Sequence, residues 1–174
     1  MRTLVLGGIR SGKSRWAEAS LAENLTAGDT VSYIATASAD DGDPAWEHRI
    51  ATHRGRRPQS WRTIETTDVA AQLRAEPRTP ALVDDLGNWL TAALDRRGWN
   101  GGCLDADVSD LVTAVRTFAS PLALVSPEVG LTVLPATAAG RRFADELGTL
   151  NQRLADCCER VVLVVAGQPV WVKQ

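Results

Sequence analysis

Thr3-Leu4-Val5-Leu6 runs directly into Gly7-Gly8-Ile9-Arg10-Ser11-Gly12-Lys13-Ser14. The first four residues read as a short strand, and the next eight carry the spacing G-x-x-x-x-G-K-[ST] of a phosphate-binding loop. Glycines let the backbone wrap an anion with its N–H groups pointing inward, and a helix that follows offers its positive N-terminal end to the same phosphates. On that reading Gly7, Gly8, Ile9, Arg10, Ser11 and Gly12 form the cradle, Lys13 reaches the outer phosphates and Ser14 coordinates Mg²⁺. Ala17, Leu21 and Leu25 recur at i, i+4 and i+8, the stripe of a helix with one buried face. The motif therefore sits in the strand–loop–helix setting it requires, and a nucleoside triphosphate, ATP or GTP, is the implied ligand.

Beyond the loop, strand and helix patterns alternate. Val31-Ser32-Tyr33-Ile34-Ala35, Trp61-Arg62-Thr63-Ile64-Glu65, Ala81-Leu82-Val83-Asp84, Leu122-Ala123-Leu124-Val125 and Val161-Val162-Leu163-Val164-Val165 read as strands. Helical patterns lie between them at about 44 to 54, 68 to 75, 88 to 96, 106 to 119 and 138 to 158. Apolar strands alternating with crossover helices predict an α/β fold with a mostly parallel, doubly wound sheet. Together with the loop this is a RecA-like phosphate-loop fold, in one domain over 1–174. Gly98, Gly101 and Gly102 make the stretch from Arg97 to Asp105 the expected flexible loop, with Trp99 expected to be exposed beside it.

The 174 residues are 44% hydrophobic with a formal charge of -2, enough for one ordinary core and too balanced for a global field toward nucleic acid or a membrane surface. No run approaches a membrane span, and no long apolar segment of a signal peptide precedes the loop. Cys103, Cys157 and Cys158 lack metal-ligand spacing and read as reduced thiols of a cytoplasmic protein.

Two further clusters carry chemistry. A phosphate loop works with a carboxylate at the end of a neighbouring strand, which holds Mg²⁺ directly or through water. Asp84 is the candidate, with Asp85 the alternate; either would equally serve as cap for the helix beginning near Asn88. The stretch from Arg49 to Pro58 contains Arg49, His53, Arg54, Arg56 and Arg57. If it is helical, Trp46, Ile50 and His53 share a face. Guanidinium groups bind phosphate oxygens bidentately, so this stretch is either a polyanion receptor or a solvated basic helix whose inward histidine belongs to the core.

Several of these segments together resemble one family. They are Gly7 to Glu18, Ile34-Ala35-Thr36, the run R-I-x-x-H-R-x-x-R-P (Arg49 to Pro58) and Trp61 to Glu65. Glu128-Val129-Gly130 and the run from Arg141 through Phe143, Asp145 and Gly148 to Asn151-Gln152 complete the set. In order and spacing they resemble the bifunctional adenosylcobinamide kinase / adenosylcobinamide-phosphate guanylyltransferase of cobalamin biosynthesis. The resemblance implies two reactions. Adenosylcobinamide is phosphorylated with ATP or GTP, and GMP then passes from GTP to adenosylcobinamide phosphate through a GMP-histidine intermediate, releasing pyrophosphate. The histidine matches His53. A neutral imidazole would attack the α-phosphorus while Arg54, Arg56 and Arg57 stabilise oxygen charge. The resemblance also implies that Gly7 to Ser14, Ile34, Ala35, Thr36, Arg54, Gly55, Arg56, Arg57, Glu65 and Asp84 contact GTP. Glu65 would accept the guanine N1–H and amino donors and so reject adenine. A homo-oligomer, commonly a trimer, is implied as well.

The chain departs from the family pattern in places. Pro127 stands where asparagine is usual, Thr132 where a second glycine is usual, and Asp85-Leu86-Gly87 where Cys-Leu-Thr is more frequent. Loss of the second glycine matters if that position needs a positive φ. These changes leave the loop and His53 intact and bear on the substrate side and the kinase activity more than on guanylyl transfer. Two other readings compete: a small-molecule kinase without guanylyl transfer, and a GTP-binding module without turnover. A nucleic-acid-acting ATPase would want an extended basic surface, whereas here the basic residues are concentrated locally.

Overall fold

The computed structural model describes residues 1–26, 28–36 and 60–174. In chain order the elements are β1 (Arg2–Gly7), α1 (Lys13–Ala22), β2 (Val31–Ala35), β3 (Trp61–Glu65), α2 (Val69–Ala75), β4 (Ala81–Asp84), α3 (Leu86–Arg97), α4 (Asp105–Thr117), β5 (Leu122–Pro127), α5 (Ala138–Cys157), β6 (Arg160–Val165) and β7 (Gln168–Lys173). The expected helix at 44 to 54 lies outside the described residues.

The seven strands form one sheet in the order β3-β2-β4-β5-β1-β6-β7. Every pairing is parallel except that of β6 with β7. Among the described residues β1, β3, β4 and β5 are each followed by a helix that carries the chain back to its starting edge, as a parallel pairing requires. Strand alternation then divides the core in two. Leu4, Ile34, Val83, Leu124 and Val161 join the buried side chains of α2 through α5. Val5, Val31, Tyr33, Leu82, Val125 and Val162 face the other way, onto Ala17 and Leu21 of α1. Each such aliphatic side chain contributes roughly 1.5–3 kcal/mol on burial. Helix α1 ends at Ala22, short of the expected stripe, yet Leu25 beyond it still packs on the same cluster. No described helix is long and apolar enough to cross a membrane.

Strand β7 was not foreseen. It is exposed along its whole length and carries Pro169, tolerated because an edge strand has one row of N–H groups without ladder partners. Ala166 and Gly167, at φ 50 and 78, form the two-residue turn from β6, both central residues having the positive φ that such hairpins demand. The glycine-rich loop after α3 is tied to α5. Arg142 of α5 donates to the carbonyl oxygens of Gly98, at 2.9 Å, and Gly102. Trp99 is half-buried rather than exposed, packing against the core while its Nε1 donates to Asp95 at 2.7 Å.

Because β1, β2, β3, β4 and β5 run parallel, their carboxyl ends gather along one edge of the sheet. Asp84 ends β4 opposite Ala35 of β2, which is also opposite Glu65 of β3. Pro127 ends β5 opposite Gly7 of β1. In open α/β sheets, ligands bind outside these ends, where successive connections leave a strand toward opposite sides. The phosphate loop follows β1 at that edge.

Candidate active site

The loop from Gly8 to Gly12 turns tightly between β1 and α1. Gly12 has φ 92, and a Cβ there would stand 3.2 Å from Cα of Gly167. At Gly7 the constraint is space: a Cβ would lie 2.4 Å from Ser11 Oγ and 2.9 Å from the carbonyl oxygen of Val164. Glycine is required at both positions. Ser11 donates its backbone N–H to the Gly8 carbonyl at 3.3 Å, and its own carbonyl accepts from the N–H of Gly167 at 2.8 Å. The β6–β7 turn thus buttresses the phosphate loop from behind. Sequence reasoning missed this support; the signal that could have found it is the strand-favouring run Val170-Trp171-Val172 just beyond the Ala166-Gly167 turn.

Helix α1 opens on Gly12 with no side-chain cap and no acidic residue in its first turn. Asp68, Asp85 and Thr137, by contrast, cap α2, α3 and α5. An uncapped N-terminus beside a glycine loop leaves N–H donors and the positive end of the dipole for an anion. Lys13 arches back over the loop, its Nζ donating to the Gly8 carbonyl at 3.5 Å.

Of the two adjacent carboxylates, Asp85 takes the capping role and Asp84 faces Ser14. Asp84 accepts from Ser14 Oγ on Oδ1 at 3.1 Å and from the Tyr33 hydroxyl on Oδ2. Asp85 caps α3, its Oδ1 accepting from the N–H of Asn88 at 2.9 Å. Burial and then the Asp84 charge push the Asp85 carboxyl above the usual range, offset in part by the Asn88 N–H and by Lys13. Thr36 is buried beneath this pair, donating Oγ1 to the Asp85 carbonyl at 2.6 Å and its N–H to the Asp84 carbonyl at 3.1 Å. Ser14 Oγ and the Asp84 carboxylate are hard oxygen donors, the set that suits Mg²⁺ with phosphate oxygens and water completing the shell. Among the described residues no group of three or more His, Cys, Asp or Glu is disposed to hold a metal ion.

The end of β5 closes the site between β1 and β4. Glu128 donates its N–H to the Gly7 carbonyl at 3.1 Å, and its Oε1 accepts from the Gly130 N–H at 2.6 Å. Beneath it, buried Asn151 of α5 accepts from Ser126 Oγ at 2.6 Å and donates to the Pro127 carbonyl at 3.1 Å. Asn151 therefore ties α5 to the strand end that holds the phosphate loop. Two of the departures meet here: a Cβ on Gly87 would lie 2.9 Å from Cγ of Pro127, so the proline ring takes the room that a larger residue at 87 would need. Thr132 is absent from the positive-φ positions, so its backbone makes no demand for glycine. Leu131, Val133 and Leu134 are exposed beyond it, as is Ile9 in the phosphate loop.

Of the other expected site residues, Ile34 is buried in the core and Ala35 half-buried, so ligand contact through Ile34 belongs to its backbone. Glu65 ends the edge strand β3, and Thr66 next to it donates to the Ala35 carbonyl at 3.0 Å. His53, Arg54, Gly55, Arg56 and Arg57 lie outside the described residues, as do Trp46 and Ile50. The chain reaches the last residue described before them, Thr36, at the same sheet edge as the phosphate loop. Tyr33 and the structural part of Asn151 escaped sequence reasoning. Tyr33 looks like any strand aromatic, and Asn151 showed itself only as one member of a family run.

Comparison with known proteins shows the family. The model of the cobinamide kinase / cobinamide phosphate guanyltransferase family matches residues 3–172. A Pseudomonas aeruginosa protein named bifunctional adenosylcobalamin biosynthesis protein CobP is 45% identical over 179 residues, covering 99% of this chain and 98% of its own. The Escherichia coli K12 protein named bifunctional adenosylcobalamin biosynthesis protein CobU is 33% identical over 187 residues, covering 99% and 100%. A solved structure from Pyrococcus horikoshii OT3 shares the fold with a TM-score of 0.50 at 9% identity, covering 99% of this chain and 86% of its own. The chain belongs to the cobinamide kinase / cobinamide phosphate guanyltransferase family, whose members are transferases of adenosylcobalamin biosynthesis.

Proposed function

We propose that the one phosphate-loop domain of residues 1–174 carries both reactions, on adenosylcobinamide and then on its phosphate, as a cytoplasmic homo-oligomer, a trimer. The observation that carries the reading is the contact of Ser14 Oγ with Asp84 Oδ1 at 3.1 Å, beside an uncapped helix N-terminus and Lys13. Ser14 and Asp84 would hold Mg²⁺, which when bound neutralises charge on phosphate oxygens.

In the kinase step the loop N–H groups from Gly8 to Lys13 fix the β- and γ-phosphates of ATP or GTP, and Lys13 offsets the charge that shifts toward the leaving diphosphate. The substrate hydroxyl attacks the γ-phosphorus, the bond from that phosphorus to the β–γ bridging oxygen breaks, ADP or GDP leaves, and the hydroxyl proton passes to solvent, giving adenosylcobinamide phosphate. In the second step neutral His53 attacks the α-phosphorus of GTP, the bond to the bridging oxygen breaks and pyrophosphate leaves. An oxygen of adenosylcobinamide phosphate then displaces the histidine and forms adenosylcobinamide-GDP. Arg54, Arg56 and Arg57 stabilise the α-phosphate oxygens, and Glu65 takes the guanine donors. A ring nitrogen is available for attack near pH 7 because the ordinary imidazole pKa is about 6.5. Exposed Ile9, Leu131, Val133 and Leu134 offer apolar surface to the bulky corrinoid at the same edge.

Product analysis with adenosylcobinamide, Mg²⁺ and GTP tests this division of labour. His53→Ala is expected to yield adenosylcobinamide phosphate and no GDP-linked product, and Lys13→Ala to yield neither. Formation of adenosylcobinamide-GDP by His53→Ala at the wild-type rate would remove the histidine from the mechanism.

A further inference from the structure

We propose that Tyr33 is a positioning residue for the metal-holding carboxylate: its hydroxyl locks Asp84 in the orientation that serves the ion together with Ser14. The inference rests on the reading of Asp84 and Ser14 as the residues that hold Mg²⁺.

Three features of the sheet place the hydroxyl there. Val31 and Tyr33 of β2 point to the α1 side while Ile34 points to the other, so the phenol ring shares a face with Ser14. Register sets Tyr33 opposite Leu82 and Ala35 opposite Asp84. The Asp84 carboxylate is thus one pleat further along the same face, within reach of a side chain as long as tyrosine but not of a shorter hydroxyl. The ring itself is fully packed, 2% exposed, and lies against Trp61 with centroids 6.5 Å apart. Phenylalanine would fill that space equally well. A buried hydroxyl costs free energy unless it finds a partner, and this one donates to Oδ2 of Asp84.

The consequence lies in what each oxygen is left to do. Oδ1 accepts from Ser14 Oγ at 3.1 Å, a bond that is given up when the serine hydroxyl turns its oxygen to a cation shared with Oδ1. Tyr33 stands on the far oxygen and takes no part in that exchange, so the carboxylate plane stays fixed while Ser14 moves. Partners of this kind orient metal-binding carboxylates, and their loss costs on the order of tenfold or more in metal affinity. The same lock keeps the carboxylate aimed at the loop before any nucleotide arrives.

The test uses the full-length protein with Mn²⁺ as a paramagnetic probe, titrated by electron spin resonance with saturating GDP, alongside GDP binding in EDTA. Tyr33→Phe is expected to weaken Mn²⁺ binding about tenfold and to leave GDP affinity in EDTA unchanged. In an Asp84→Asn background the same substitution is expected to add nothing. Trp61→Leu, which removes the ring's neighbour and keeps the hydroxyl, is expected to leave Mn²⁺ affinity unaltered and so separates packing from positioning. Unchanged Mn²⁺ affinity in Tyr33→Phe, with strong loss in Asp84→Asn, would overturn the role of Tyr33 alone. Equal weakening of GDP binding with and without metal would reduce Tyr33 to a packing residue. Undiminished Mn²⁺ affinity in Asp84→Asn would overturn the metal reading of Asp84, and this inference with it.

Discussion

Replacing Asn151 by alanine removes the side chain that joins α5 to the carboxyl end of β5. Two hydrogen bonds vanish, the one from Ser126 Oγ at 2.6 Å and the one to the Pro127 carbonyl at 3.1 Å, at about 1 kcal/mol each. Ser126 is 0% exposed, so its stranded hydroxyl adds a desolvation cost of about 1–2 kcal/mol. The expected destabilisation is about 3 kcal/mol, which for a urea m-value of about 2 kcal/mol/M shifts the midpoint by roughly 1.5 M. Nucleotide affinity is expected to fall as well, because the freed strand end carries the Glu128 N–H that holds the Gly7 carbonyl. Urea unfolding followed by tryptophan fluorescence measures the first effect and nucleotide titration the second. The double variant Ser126→Ala/Asn151→Ala is expected to cost less than the two singles together by about 1–2 kcal/mol, since no hydroxyl is then stranded. A cost below about 1 kcal/mol for Asn151→Ala, or strict additivity of the pair, would refute this assignment.

Gly87→Thr is expected to destabilise the protein by about 1–3 kcal/mol through overpacking against the Pro127 ring, and Pro127→Asn in the same chain to restore most of it; an equal penalty with either residue at 127, measured by urea midpoints, would contradict the steric coupling. Glu159 is held down to about 2 chiefly by its hydrogen bond with Arg2, against the opposing effect of burial. The lowered carboxyl contributes stability above its unfolded value of about 4.3 and loses it as pH falls toward 2. With its side chain 46% exposed, solvent screening limits that contribution to about 1 kcal/mol. Glu159→Gln is therefore expected to be less stable than wild type at pH 7 by about this amount, with the gap closing between about pH 5 and pH 2; a gap independent of pH would refute the linkage.

The phosphate loop and the parallel strands were legible because their signals are local: a glycine spacing, apolar runs, and helical stripes between them. The helix assignments for 88 to 96 and 138 to 158 correspond to α3 over Leu86–Arg97 and α5 over Ala138–Cys157, end differences of a residue or two that follow from fraying and caps. What sequence could not reveal depends on position in the sheet. β7 carries a proline and no buried face, so no alternation marks it and only the strand-favouring run Val170-Trp171-Val172 hints at it. Its turn reaches Ser11 only because β6 pairs beside β1, a neighbour relation that no local pattern encodes. For Asp84 and Asp85 the sequence left two roles for two carboxylates, and strand direction decided which faces Ser14. Tyr33 needed register as well, since its partner lies 51 positions away in the chain.

The most direct test of the account is incubation with Mg²⁺ and GTP labelled at the α-phosphate, followed by denaturing separation in acid and in alkali, with His53→Ala alongside. The account predicts label on the wild-type chain that is lost in acid, survives alkali and is absent from the variant, the signature of a phosphoramidate. An unlabelled wild-type chain that still binds GTP, or label that persists in His53→Ala, would contradict it.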